Sequence, residues 1–234
     1  MQIQRFVAAS LIAFTGLAAA PASNAPSTDP SAVLVRLKDG NDRFVANPGA
    51  PPPVDEGRRE ALVAGQNPMA IVVSCADSRV PPELVFNRGL GELFVIRIAG
   101  EVADKAVIAS VEYAAEHLGT PLLVVMGHQS CGAVTAALQT APEASAGSAS
   151  LDFLVGSIRP AFERVSQADA EHLRDLILAN VEQVVNDLLE KSPIVHHLHA
   201  EGKLGVVGAY YELETGRVHF STPVPSQATT DHAR

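Results

Sequence analysis

The stretch ELFVIRIAGEVADKAVIASVEYAAEHLGTPLLVVMG, residues 92–127, decides the fold. It opens on ELFVIRIAG (92–100) and closes on PLLVVMG (121–127), two apolar runs without alternation, the pattern of strands covered on both faces. Between them, in DKAVIASVEYAAEHLG (104–119), Val107, Ile108, Val111, Ala115 and Leu118 recur at helical spacing. Asp104 is placed to cap the start of that helix and Gly119 its end. Strand, helix, strand is a crossover unit, and such alternation implies a parallel sheet with helices on its faces. The predicted class is α/β, with a central, mainly parallel β-sheet flanked by helices.

Upstream, PMAIVVS (68–74) has the same doubly covered character. Downstream, helical patterns are expected over Ala133 to Leu138, from Leu151 to about Val165 and from about Ala170 to Glu190, with an Ala/Ser-rich loop at 141–150. The last helix offers Leu173, Leu176, Ile177, Val184, Val185, Leu188 and Leu189 as its buried face. LGVVGAYYEL (204–213), ETGR (214–217) and VHFS (218–221) predict a strand, a turn and a closing strand. Toward the N-terminus, Val33, Leu34, Leu37 and Phe44 suit an amphipathic helix over Ala32 to Val45, in which Gly40 is unfavourable. NPGAPPPVDEG (47–57) breaks it before a short helix around Arg59 to Ala64. One folded unit is expected over residues 32–221, followed by a disordered tail at 222–234.

The first 25 residues have another character. MQIQR carries one positive charge and no acid, FVAASLIAFTGLAAA is apolar for 15 residues, and APASNA supplies small residues suited to cleavage. The run is shorter than the ~20 apolar residues a bilayer core requires, so a secretory signal is expected rather than a membrane anchor. Residues 26–31 are read as a linker within the polar, proline-rich PASNAPSTDPS (21–31). The chain is then exported, and periplasmic if its source is a Gram-negative bacterium. Its formal charge of −9, with 17 basic against 26 acidic residues, argues against a nucleic-acid footprint. Tryptophan is absent and aromatics make up 5%, so small aliphatic side chains must fill the core.

Only two cysteines occur, Cys75 and Cys131. In an oxidising compartment they can form one disulfide. Their neighbours point elsewhere. VVSCADSRV (72–80) places Cys75 where one apolar run ends, with Asp77 and Arg79 at alternate positions beyond it. MGHQSCGAV (126–134) places His128 and Cys131 where another run ends. Both cysteines therefore lie at carboxyl ends of parallel strands, where open α/β sheets build their ligand sites. Two thiolates and an imidazole are the soft and borderline donors that tetrahedral zinc favours, and three protein ligands leave one position open. In extended backbone Cys75, Asp77 and Arg79 share a side, so Asp77 can reach the metal as a fourth ligand unless the Arg79 fork holds it away.

CADSR, followed 53 residues after its cysteine by HQSC, resembles the beta-class carbonic anhydrases. PPELVFNRGLGELFVIRIAG (81–100) and the ending SPIV…GVVGAYYELETGRV resemble the same family, so the likeness spans roughly residues 32–221. The resemblance implies Cys75, His128 and Cys131 as zinc ligands, with Asp77, a transient ligand or an orienting group, and Arg79 as the catalytic dyad. It further implies reversible hydration of carbon dioxide to bicarbonate and a proton by a metal-bound hydroxide, in a homodimer or higher homo-oligomer. Gly132 is expected to let the chain approach closely, with main-chain N–H groups at the helix start receiving bicarbonate, although such a glycine is equally explained by conformation alone. Two other readings stand beside this one: a related zinc hydrolase acting on carbonyl sulfide or carbon disulfide, and an exported zinc-binding or redox-sensing protein without turnover.

RIAGE (97–101) departs at Ile98 and Glu101 from the Arg-Asn-Ala-Gly-Asn common in that family. Arg97 is expected to bond strand-end carbonyls or a partner subunit. The histidines of HHLH (196–199) are expected to be solvated rather than a second metal site, and Glu83 and Arg88 to form a loop salt bridge.

Overall fold

A computed structural model describes residues 28–226, apart from positions 51, 53, 55 and 167. Its centre is a sheet of β1 (Ala70–Ser74), β2 (Leu93–Arg97), β3 (Leu122–His128), β4 (Gly205–Tyr211) and β5 (Val218–Phe220). The order is β2-β1-β3-β4-β5, with the first four strands parallel and β5 antiparallel to β4. Every residue of β1 and β3 is buried, as their unbroken apolar runs require. β2 differs from the expectation of two covered faces: only Leu93 is fully buried, because the strand lies at the sheet edge and pairs on one side. Ile71 pairs with Leu123 and Ser74 with Met126, so β1 and β3 run out side by side at one edge.

Alternation across the strands divides the core. Val72, Val124, Met126, Val207 and Ala209 face one layer, packed by Val33 and Leu37 of α1 (Pro30–Ala46), Val134 of α5 (Gly132–Gln139) and Ile158 of α6 (Ala149–Ile158). Ile71, Val73, Leu123, Val125 and Val206 face the other. There they meet Val107 and Val111 of α4 (Lys105–Glu112), Val181, Val184 and Leu188 of α7 (Leu173–Lys191), and Val195 of α8 (Pro193–Ala200). Asp104 caps α4 by accepting from the N–H groups of Ala106 and Val107. The α4 crossover passes over β1, since β2 and β3 flank that strand rather than each other.

Several boundaries move. The helix α1 starts at Pro30, inside the expected linker, because Asp29 caps it and Pro30 suits the first turn. Gly40 sits within α1 for a reason the local pattern hides: a Cβ there would lie 1.9 Å from the main-chain oxygen of Phe86. Phe86 follows a short helix α3 (Pro82–Val85) that has no periodicity to read. The expected short helix begins earlier, as α2 (Glu56–Ala61), and ends in a tighter turn over Leu62–Ala64. The 151–165 pattern divides into α6 and a 3₁₀ turn at Arg159–Arg164, where Pro160 has no N–H to continue the ladder. The chain also runs past its expected end at 221, for Val224 N donates to Val206 O at 2.9 Å. The signal segment 1–25 and tail residues 227–234 lie outside the described residues. Among the described residues no helix is long and apolar enough to cross a membrane.

Candidate metal centre

Both apolar strands hand the chain to loops that are pinned by main-chain carbonyls and N–H groups. Cys75 follows β1, and Arg97, at the end of neighbouring β2, donates from Nε to Cys75 O at 3.1 Å and from Nη2 to Asp77 O at 2.5 Å. Arg97 thus bonds strand-end carbonyls, as expected. Asp77 Oδ1 accepts the Arg79 N–H at 2.9 Å, closing a local turn. At the end of β3, Ser130 takes a left-handed conformation, φ 57°, and Cys131 follows it as the residue that leads into α5.

These two turns bring Cys75, His128 and Cys131 together, their donor atoms all within 4.8 Å of one another and all three residues buried. It is the single group of this kind among the described residues. His128 Nδ1 lies 2.9 Å from Gln129 O, which can only accept, so the ring proton sits on Nδ1. Nε2 is left bare, buried and without a hydrogen-bond partner. Both cysteines are free, so the disulfide reading is not what the fold contains. The Cys131 thiol bonded to Cys75, together with the Gly100 N–H, draws the Cys75 thiol well below its ordinary value against the opposing effect of burial. The same bond, together with burial and the negative charge of Glu101, pushes Cys131 far up. Two negative sulfurs cannot share this space unless a cation joins them. An orphaned imidazole nitrogen beside two such sulfurs is the donor set of a borderline divalent metal.

Beside the triad stands a carboxylate that is not part of it. Arg79 donates from Nε to Asp77 Oδ1 at 2.9 Å and from Nη2 to Oδ2 at 2.7 Å, and also to Ser130 O at 3.3 Å. These bonds hold the Asp77 carboxyl well below the usual carboxylate range. Asp77 Oδ2 remains 3.9 Å from His128 Nε2, facing the triad without joining it.

A family profile described as carbonic anhydrase matches residues 70–218, which contain all five of these residues. The chain belongs to the beta-class carbonic anhydrases. Carbonic anhydrase 2 of Mycobacterium tuberculosis is 38% identical over 192 residues, 82% of this chain and 93% of the relative. The carbonic anhydrase of Mycolicibacterium smegmatis is 39% identical over 193 residues, 82% of this chain and 94% of its own. In structure, a Coccomyxa beta-carbonic anhydrase solved in complex with acetazolamide superposes with TM-score 0.67 at 27% identity, covering 88% of this chain and 92% of that one. A tetrameric beta-carbonic anhydrase of Sordaria macrospora, 22% identical, shares the fold with TM-score 0.63 over 83% of this chain and 98% of that one.

In this beta-class chain one of the two positions that depart from the common motif is a buried acid. Glu101 is 0% exposed. Burial and the negative charge of Cys75 push its carboxyl up to about 8, while the Asn180 amide bonded to it opposes the shift. Asn180 belongs to no motif, and its signal is a polar side chain among the apolar ones on the buried face of α7, where Gln183 is the other. Gly132 does not sit where the chain is crowded: a Cβ there would meet nothing within 4 Å, so close approach is not its reason. The loop salt bridge of Arg88 goes to Glu92 at 3.6 Å rather than to Glu83. His199 is buried, its Nδ1 donating to Leu204 O at 2.9 Å, whereas His196 and His197 are exposed, so the three do not form one solvated group.

Proposed function

We propose that this beta-class carbonic anhydrase catalyses the reversible hydration of carbon dioxide to bicarbonate and a proton, with zinc held by Cys75, His128 and Cys131 and with Asp77 and Arg79 as its catalytic pair. The observation that carries this reading is the bare, buried His128 Nε2 beside two sulfurs, with the Asp77 carboxylate 3.9 Å away and turned toward Arg79. Zinc bound there supplies the charge that lowers the pKa of water from 15.7 to about 7 and yields a nucleophile near neutral pH.

The chain's residues do the rest. Asp77, ionised across the neutral range, is an acceptor only, so it takes a hydrogen bond from the reacting water and aims the water's lone pair at carbon dioxide. Arg79 occupies both carboxylate oxygens and so keeps Asp77 from closing the open position. Because its carboxyl lies so low, Asp77 is a weak base, and its part is to orient the water rather than to store its proton. The open space beside Gly132 leaves room for bicarbonate against the first N–H groups of α5.

Metal analysis of the purified protein joined to stopped-flow carbon dioxide hydration tests the reading. Stoichiometric zinc with turnover, lost in Cys75→Ser and in zinc-retaining Asp77→Asn, supports it. Bound zinc without turnover on carbon dioxide overturns it, and the same sample assayed with carbonyl sulfide and carbon disulfide separates a related hydrolase from a binding module.

A homodimer or larger homo-oligomer is proposed as well, supported by the unpaired side of β2 and by Leu90 and Tyr113, 49% and 47% exposed. Sedimentation measures it. Export with removal of residues 1–25 is proposed from their composition and is checked by N-terminal sequencing of the mature protein from the producing cell.

A further inference from the structure

Two consecutive residues behind the triad, Gly100 and Glu101, adopt left-handed backbone conformations, with φ 63° and φ 45°. Such a turn holds only where its surroundings fix it, and glycine has no side chain with which to do so. Beyond the turn's own bond from Glu101 N to Ile98 O at 3.0 Å, what fixes it comes from α7. Asn180, fully buried, donates from Nδ2 to Gly100 O at 2.9 Å and to Glu101 Oε1 at 3.1 Å. Gly100 O can only accept, which assigns the amide's orientation. The same turn presents its own N–H to the centre: Gly100 N donates to Cys75 Sγ at 3.4 Å. The Glu101 carboxyl closes the space beneath, where a Cβ on Gly127, the residue before His128, would stand 3.2 Å from Glu101 Oε1.

We propose that Asn180 is a positioning residue for the metal centre, tying down the Gly100–Glu101 turn so that the Gly100 N–H bonds the Cys75 sulfur. The inference rests on the reading that Cys75 is a metal ligand. An N–H donated to a metal thiolate withdraws charge from sulfur and fixes the direction of its lone pair, so it tunes both the hold on the ion and the ion's acidity. Asn180 reaches this sulfur through the main chain and touches no reacting atom.

Cobalt(II)-substituted protein reads the sulfur directly, through the sulfur-to-cobalt charge-transfer band. Asn180→Asp keeps the size of the side chain and removes the donor. Its band should move to lower energy, because a sulfur relieved of its hydrogen bond gives up charge more readily, and cobalt should pass to EDTA about 10-fold faster. The double variant Asn180→Asp with Glu101→Gln restores a donor–acceptor pair between the two side chains but not the tie to Gly100 O. It guards against simple misfolding, and it should keep the red-shifted band. Wild-type band position and release rate in Asn180→Asp, or a band restored by the double variant, overturn the inference while leaving the metal centre intact. No sulfur-to-cobalt band in the wild-type protein overturns the metal reading itself, and this inference with it.

Discussion

Two helical glycines should answer the same substitution with opposite signs. Replacing glycine by alanine inside a helix is worth roughly 1 kcal/mol from backbone propensity alone. At Gly156 in α6 nothing lies within 4 Å of the added Cβ, so Gly156→Ala should collect about 0.5–1 kcal/mol. At Gly40 in α1 the Cβ would fall 1.9 Å from Phe86 O, a main-chain atom that cannot rotate away. Ordinary contact begins at 3.4 Å, so α1 and the segment after α3 must part by well over 1 Å. Phe86 is 0% exposed and stacks on Phe220 with ring centroids 6.0 Å apart, so that movement disturbs packed core. Overpacking of this kind costs about 1–3 kcal/mol, and a backbone collision belongs at the upper end. Net of propensity, Gly40→Ala should lose about 2 kcal/mol. For a chain of this size each kcal/mol moves Tm by about 2–4 °C, so the fall is roughly 4–8 °C, against a rise of about 1–4 °C for Gly156→Ala. Thermal unfolding followed by circular dichroism, at equal protein and metal concentrations, measures both. A Tm for Gly40→Ala at or above that of the wild type would refute the claim that close approach dictates this glycine.

Arg79→Gln should leave metal content intact yet lower stopped-flow turnover about 100-fold, the scale of a misplaced reacting group. With Arg79 gone the Asp77 carboxyl rises toward its ordinary range, so the acid limb of the pH–rate profile should move to higher pH. Glu101 contributes stability of the opposite sense. Its folded pKa, about 8, lies above its unfolded value of 4.5, so its share is full below the latter and lost as pH rises through the former. Glu101→Gln should flatten that slope, seen as a wild-type denaturant midpoint that falls relative to the variant's between about pH 5 and about pH 9. Asn41 is 4% exposed; it donates to Val85 O and Gly216 O and accepts from Val218 N. Asn41→Ala strands those groups and should cost about 3 kcal/mol by urea unfolding. Removing metal with EDTA should lower Tm by roughly 8–16 °C in calorimetry, from about 4 kcal/mol of linkage at a thousandfold excess over Kd.

The inner strands and the clustered donors were legible for the same reason. β1 and β3 lie inside the sheet with both faces covered, so each reads as an unbroken apolar run, and the donors stand where those runs end. β2 carries a similar run but lies at the edge, a position that depends on strand order and not on composition. The helix α3 spans four residues, too few to show a period. The start of α8 is written in the sequence, with Ser192 as cap and Pro193 in the first turn, but its eight residues are too few to show a clear period. Gly40, Glu101 and Asn180 take their meaning from contacts made 46, 26 and 80 positions away, with Phe86, Cys75 and Gly100. Spacing rules that work within one helix or strand cannot reach them.

The group that decides which imidazole nitrogen stays bare is the carbonyl of Gln129, a piece of main chain. Every amino acid carries that oxygen. Substitution at position 129 by any residue but proline, which would lose the N–H that bonds Tyr211 O, can therefore alter the surface of the loop while leaving the proton on Nδ1 where it is.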